Sequence, residues 1–202
     1  MALHPHALML GPVTLEGEHV RLESLTMDHL DGLAAVGLDE DLWRLSPRRI
    51  ETRTDMQGYI AEALDEHARG VSLPFATVDT ASQTVVGSTR FGNVALAHRR
   101  AEIGWTWIAG PWQRTAINTE AKWLMLRHAF ETWGCHRVEL KTDSRNVRSR
   151  RAMRRIGAVE EGTLRKHMVT ASGHIRDTVY FSITDDEWLA VEAALVARLA
   201  RG

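Results

Sequence analysis

AEIGWTWIAGPWQRTAINTEAKWLMLRHAFE, residues 101–131, joins a strand pattern to a helix pattern through a turn at Gly110, Pro111 and Trp112. On the strand side Ile103, Trp105 and Trp107 alternate with Glu102, Gly104 and Thr106, a period of two that packs one face and leaves the other open. Gly104 on the open face marks either a bulge or a close approach of another backbone. On the helix side, apolar residues from Ala121 to Trp133 cover most of a cylinder, so a helix over about Thr119–Trp133 is expected to pack between a sheet and further structure. Gly134 ends it. The junction exposes backbone N–H groups at a helix start, which form an anion site with little help from side chains. Taken alone, Asn118 or Thr119 is a plain helix cap.

Upstream, HVRLESL (19–25) suits an entering strand, and TMDHLDGLAAVGL (26–38) a helix capped by Thr26 with Leu30, Leu33 and Ala34 on one face. A second helix from about Thr54 to Arg69 puts Met56, Ile60, Ala63, Leu64 and His67 on one side and stops at Gly70. SLPFATVD, TVVGSTRFGNVAL and RRAEIGWTWIAG follow as strands, with linkers short enough for antiparallel neighbours. Downstream come a strand at RVELKTD (137–143), a short helix at NVRSRRAMRRIG (146–157) ended by Gly157, and two strands around a turn at Ser172–Gly173. A terminal helix closes the chain. The pattern is one α+β domain over residues 15–202 after an extension of residues 1–14.

The 202 residues suffice for one domain with a proper core. Lys and Arg total 25 against 26 Asp and Glu, a net charge of −1 that gives no general pull toward nucleic acid or membrane. No run approaches the roughly 18 apolar residues of a membrane span. The start MALHPHALMLGPV has no basic region and no cleavage pattern, so a signal peptide is not expected and the cytoplasm is the default. Cys135, the single cysteine, is expected as a buried thiol beside Trp133. His98, His128, His136, His167 and His174 lack ligand spacing with carboxylates, so no metal site is expected.

Four pieces, VRLESLTMDHL, residues 101–131, RVELKTDSRNVRSRRAMRRIGAVEEGTLRKH and GHIRDTVYFSITDDEW, occur in an order that resembles the Gcn5-related N-acetyltransferase superfamily. The likeness runs from Leu15 to Trp188 and is nearest to the bacterial branch of ribosomal-protein alanine N-acetyltransferases. It implies a mixed, mainly antiparallel central sheet flanked by helices, with acetyl-CoA as cosubstrate, no metal, and a homodimer. The family's Gln/Arg-x-x-Gly-x-Gly/Ala signature falls on Gln113, Arg114, Thr115, Ala116, Ile117 and Asn118. These residues, with Thr119, would cradle the pyrophosphate. Ala116 and Asn118 depart from the usual small residues: Ala116 gives up positive φ and narrows the approach, while the amide donors remain. The resemblance also assigns Trp105, Trp107 and Ile108 to the strand edge beside the cofactor, and Asn146, Ser149 and Arg150 to its other side.

Without the family, Asn146 caps a helix and Ser149 bonds to its own backbone. Ser149, Ala152, Met153 and Ile156 share a helix face expected to look inward. The arginines at 145, 148, 150, 151, 154 and 155 suit a solvated face, phosphate binding, or a nucleic-acid contact that lacks any reading motif. The implied reaction is direct attack of a primary amine, on a protein N-terminus or a small molecule, upon the acetyl thioester. Ser149 is the candidate proton donor to the leaving sulfur and Glu102 the leading base, followed by Glu160, His167, His174 and Asp177. A carboxylate placed like Glu102 is otherwise expected to be solvated. Trp43 or Trp112 would border the amine pocket, and a non-catalytic binding module on the same fold is the alternative.

Overall fold

The computed structural model describes residues 10–201, so most of the expected extension, and the start weighed as a leader, lies outside the described residues. Eight strands form one sheet in the order β1-β2-β3-β4-β5-β6-β8-β7. They are β1 (Leu15–Glu16), β2 (Val20–Ser24), β3 (Leu73–Asp79), β4 (Thr84–Ala95), β5 (Arg100–Ile108), β6 (Arg137–Asp143), β7 (Val159–Val169) and β8 (Ile175–Thr184). All neighbours are antiparallel except β5 and β6. This is the mixed, mainly antiparallel α+β sheet that the sequence implied.

Helices α1 (Leu30–Gly37) and α3 (Arg53–Ala68) cover one face of the sheet, with the four-residue α2 (Glu40–Trp43) in the segment between them. Helices α4 (Ala116–Arg127) and α6 (Asp185–Leu199) cover the other, and α5 (Val147–Arg155) follows β6. The expected Thr26 cap is present and closes a capping box, and Thr52, which the sequence reading did not single out, closes another ahead of α3. Leu30, Leu33, Ala34, Met56, Ile60 and Ala63 are buried as the helical period requires. In the upstream segment assigned to the extension, Leu10 and Val13 pack on the core, and the Val13 N–H donates to Ser24 Oγ at 2.8 Å.

Two expectations about the deciding stretch are corrected. The helix starts at Ala116, three residues early, because Thr115 is the N-cap and its Oγ1 accepts from the Ile117 N–H. Asn118 and Thr119 therefore lie inside the first turn rather than capping it. The α-helix ends at Arg127 and continues as a π-helical turn, His128–Thr132. The strand alternation also fails. Ser88 opposes Trp107 while Arg90 opposes Gly104, so Trp105 and Thr106 together face Thr89. This extra residue is a β-bulge, and it lies at Trp105 (φ 51°) rather than at Gly104. Ile103 consequently packs into the α4-side core and Trp107 into the α3-side core.

One long-range contact ties the sheet's first strands to α4. The buried Glu120 carboxylate accepts from the backbone N–H groups of Glu18, His19 and Val20 at 2.9, 2.7 and 2.8 Å. A Cβ at Gly17 would overlap that carboxylate, so the turn closes around it. Glu120→Ala orphans three donors and should lower stability by about 3 kcal/mol in urea denaturation. A change below about 1 kcal/mol would show that water replaces the carboxylate without loss.

Candidate functional site

Parallel strands β5 and β6 pair only through Arg100↔Arg137, Ala101↔Val138 and Glu102↔Glu139. Beyond that point they part, leaving a wedge whose walls are the edges of β5 from Ile103 and of β6 from Leu140. Each wall leads into a helix start, α4 after β5 and α5 after β6. The first N–H groups of a helix have no acceptor within it. In α4, Thr115 Oγ1 partners only that of Ile117, at 3.4 Å, among the described residues. In α5, Asn146 Oδ1 accepts from the Ser149 N–H at 2.9 Å. The two helix starts are joined: Arg148 Nη1 donates to Gln113 Oε1 at 2.8 Å, and Gln113 Nε2 donates to the Ile108 carbonyl at 2.7 Å. This arrangement suits an anion at the mouth of the wedge.

Ala116 adopts helical geometry as the first residue of α4, so its methyl strains nothing. The left-handed residue of the loop is Arg114, at φ 67°. The positive φ that Ala116 gives up is therefore not used at this position. On α5 the inward face is shallower than expected: Ser149, Ala152 and Met153 are half-buried and only Ile156 is buried. Asn146 is the cap that its spacing implied. Arg150 and Arg154 pair with Glu160, and Arg145 with Asp143, whereas Arg151 and Arg155 are exposed.

The bulge sits on the β5 wall. The Trp105 carbonyl accepts from the Tyr59 hydroxyl at 3.3 Å, and its ring lies over Gly92, where a Cβ would overlap it. Arg90 and Lys141 approach that ring, at 5.1 and 5.8 Å from its centroid. Glu102 lies at the closed end of the wedge on this same side. It is buried, accepts from Asn93 Nδ2 at 2.7 Å, and pairs with Lys141 Nζ at 2.9 Å. A solvated carboxylate is thus not what the fold makes of it. A Cβ at Gly104 would stand 3.0 Å from Glu102 Oε1, a close contact with the carboxylate. A cleft of about 590 Å³ adjoins, lined by Glu66, Asn93, Arg100, Glu102, Glu139 and Tyr180 among others.

The other base candidates hold structural contacts. Glu160 takes Arg150 and Arg154, His167 Nδ1 bonds to Thr178 Oγ1 at 3.0 Å, and Asp177 accepts from the Lys166 N–H at 2.7 Å. His174 lies in the β7–β8 turn, its carbonyl accepting from Thr170. Trp43 is core, donating to the Gly37 carbonyl at 2.8 Å, and Trp112 reaches Asp79 at 3.3 Å. Neither lines the cleft. Cys135 is buried as expected, and burial pushes its thiol up to about 11.

Sequence reasoning passed over Lys122, a lone cation in the apolar run AKWLML. It is 6% exposed and donates to Thr106 Oγ1 at 2.7 Å and Thr89 Oγ1 at 3.3 Å. Burial pushes its amine down from 10.5 to about 7. The unfolded chain therefore holds a proton between about pH 7 and 10.5 that the folded chain has released, and stability rises with pH across that window. Lys122→Met removes this rise. Between pH 7 and 9 the wild type should gain on the order of 2 kcal/mol relative to the variant in urea denaturation. A difference that stays constant over that range would contradict a depressed amine.

A family model described as "Acetyltransferase (GNAT) domain" matches residues 19–159. YdaF of Bacillus subtilis (strain 168), whose name assigns it provisionally to ribosomal N-acetyltransferases, is 33% identical over 105 residues. That match covers 52% of this chain and 56% of YdaF, so it spans only a little over half of that relative's length. The crystal structure of a GCN5-related N-acetyltransferase from Brucella melitensis is 33% identical with a TM-score of 0.86, covering 93% of this chain and 85% of that one. Mycobacterium smegmatis RimJ in complex with CoA-disulfide is 27% identical with a TM-score of 0.78 over 93% of both chains.

Proposed function

The chain belongs to the GNAT acetyltransferase family, and on that premise we propose that it moves the acetyl group of acetyl-CoA to a primary amine by direct attack on the thioester. The observation that carries this is the wedge: two strand edges part at Glu102–Glu139 and each runs into a helix start. In this reading the amides of Arg114, Thr115, Ala116, Ile117, Asn118 and Thr119 receive the pyrophosphate. Gln113 holds that loop to β5. The backbone of Trp105, Trp107 and Ile108 forms one wall for the pantetheine arm, and Asn146, Ser149 and Arg150 form the other. Arg150 must then share its guanidinium with Glu160. No metal is needed for this chemistry.

Amine nitrogen attacks the carbonyl carbon, the C–S bond breaks, and a proton leaves the nitrogen. An N–H of the bulge opposes the developing oxyanion. Glu102 receives the proton, directly or through water, with Lys141 and Asn93 fixing its orientation. The Ser149 hydroxyl donates to the departing sulfur. The cleft beside Glu102 is where the amine arrives, and the name of YdaF, provisionally a ribosomal N-acetyltransferase, supports an amine on a protein, such as its N-terminus, over a small-molecule amine. Exposed Val159, Leu164 and Val169 along the edge strand β7, with Ile175 at the start of β8, support a homodimer. A free buried thiol suits the cytoplasm. The pairing of Arg145, Arg150 and Arg154 with carboxylates weighs against a nucleic-acid role.

Calorimetric titration with acetyl-CoA tests the enzyme reading against a binding module that keeps only the fold. Saturable binding is expected, and no heat up to millimolar ligand would overturn it. On the same protein, Glu102→Gln should slow single-turnover acetyl transfer by roughly 10²–10⁴-fold, and Ser149→Ala by nearer the low end of that range. Acetyl-CoA affinity should stay within a few-fold in both variants. Full turnover with intact binding would remove either residue from the mechanism.

A further inference from the structure

Lys122 stands behind the place where β5 carries an extra residue against β4, at Trp105 and Thr106. Its two partners, Thr89 Oγ1 and Thr106 Oγ1, are themselves 2.7 Å apart, and Thr106 is exposed on the wedge side of the bulge. Among the described residues, no counter-charge compensates the amine. Glu120 on α4 is held by three backbone amides, and Glu192 on α6 accepts from Trp123. Arg90 on β4 pairs with Glu66, and Glu102 on β5 with Lys141. Arg21 and Glu23 on β2 pair with each other, and Glu16 on β1 is exposed. Burial pushes the Lys122 amine down, with no offsetting charge among the described residues. Burying an ammonium without a counter-charge is costly, which is why this one releases its proton so readily.

An anion in the wedge changes that balance. Ala116, at the helix start, is six residues from Lys122, about 9 Å along the axis of α4. At an effective dielectric constant of about 20, one negative charge at that distance moves the amine up by roughly one pH unit. We propose that Lys122 is a positioning residue whose amine takes up a proton when acetyl-CoA occupies the wedge, so that an ammonium stands behind Thr106 where negative charge gathers in the reaction. The proton comes from solvent and returns to it on product release. No bond to Lys122 forms or breaks, and its charge reaches the bulge through the Thr106 hydroxyl. The proposal rests on acetyl-CoA binding as described above, but not on which amine is the acceptor.

Calorimetry of acetyl-CoA binding at pH 8, in HEPES and in Tris, reads proton exchange from the difference in apparent enthalpy. Wild-type protein should take up roughly 0.4 of a proton, since the free amine is about one-tenth protonated there and the bound one about half. Lys122→Met should bind acetyl-CoA more weakly and without that uptake. In the wild type alone, uptake should fade below about pH 6, where the free amine already carries its proton; this arm stands even if the variant does not fold. An identical proton balance in wild type and Lys122→Met, or an uptake that persists at pH 5.5, would overturn the proposal and leave Lys122 a structural residue. Absence of binding in wild type would overturn the acetyl-CoA reading as well, which separates the two failures.

Discussion

Past Glu102 and Glu139 the ladder between β5 and β6 stops, and the backbone groups that face the gap must find other partners. The β5 side meets this with its bulge. Trp105 takes a left-handed conformation, its carbonyl turns to the Tyr59 hydroxyl, and its ring folds over Gly92 on the α3 side. What remains at the wedge is the edge of β5 beyond its pairing with β6, with β4 on its other side. The same gap fixes where α4 and α5 begin, and the Arg148–Gln113 bond keeps those two starts together.

The two sides of the wedge differ in charge compensation. On the α3 side the carboxylates that line the cleft are paired: Glu102 with Lys141, Glu66 with Arg90, and Glu139 with Arg100. On the α4 side stand helix N–H groups and an uncompensated Lys122. Anionic ligands are therefore drawn to the α4–α5 end, while the α3 side presents a carboxylate whose orientation is fixed by neighbours. That division suits a reaction in which phosphates bind at one end and an amine loses a proton at the other.

Elements with a repeating burial pattern were legible in the sequence. The period of Met56, Ile60 and Ala63, the Thr26 cap, the stop at Gly70 and the short linkers between strands all report local constraints, and the elements that they mark formed there. The bulge was not legible, because an alternation of Ile103, Trp105 and Trp107 looks the same whether or not an extra residue flips its phase. The start of α4 was misplaced for a related reason: Thr115 and Thr119 are equally good caps, and the turn at Gly110–Trp112 decides between them. Glu102 was found by its place on the strand, but its burial depends on Asn93 and Lys141, which arrive from two other strands. Glu120 and Lys122 act on residues far along the chain, and only the polarity of each within an apolar helix hinted at them.

Amide hydrogen exchange with and without coenzyme A tests the wedge most directly. Slowed exchange should appear in residues 105–108, 114–119 and 146–150, the two strand walls and the two helix starts, with the cores beneath α1 and α6 unchanged. Protection centred on the β7–β8 hairpin or spread evenly over the chain, with residues 114–119 unaffected, would contradict a binding site built from the parting of β5 and β6.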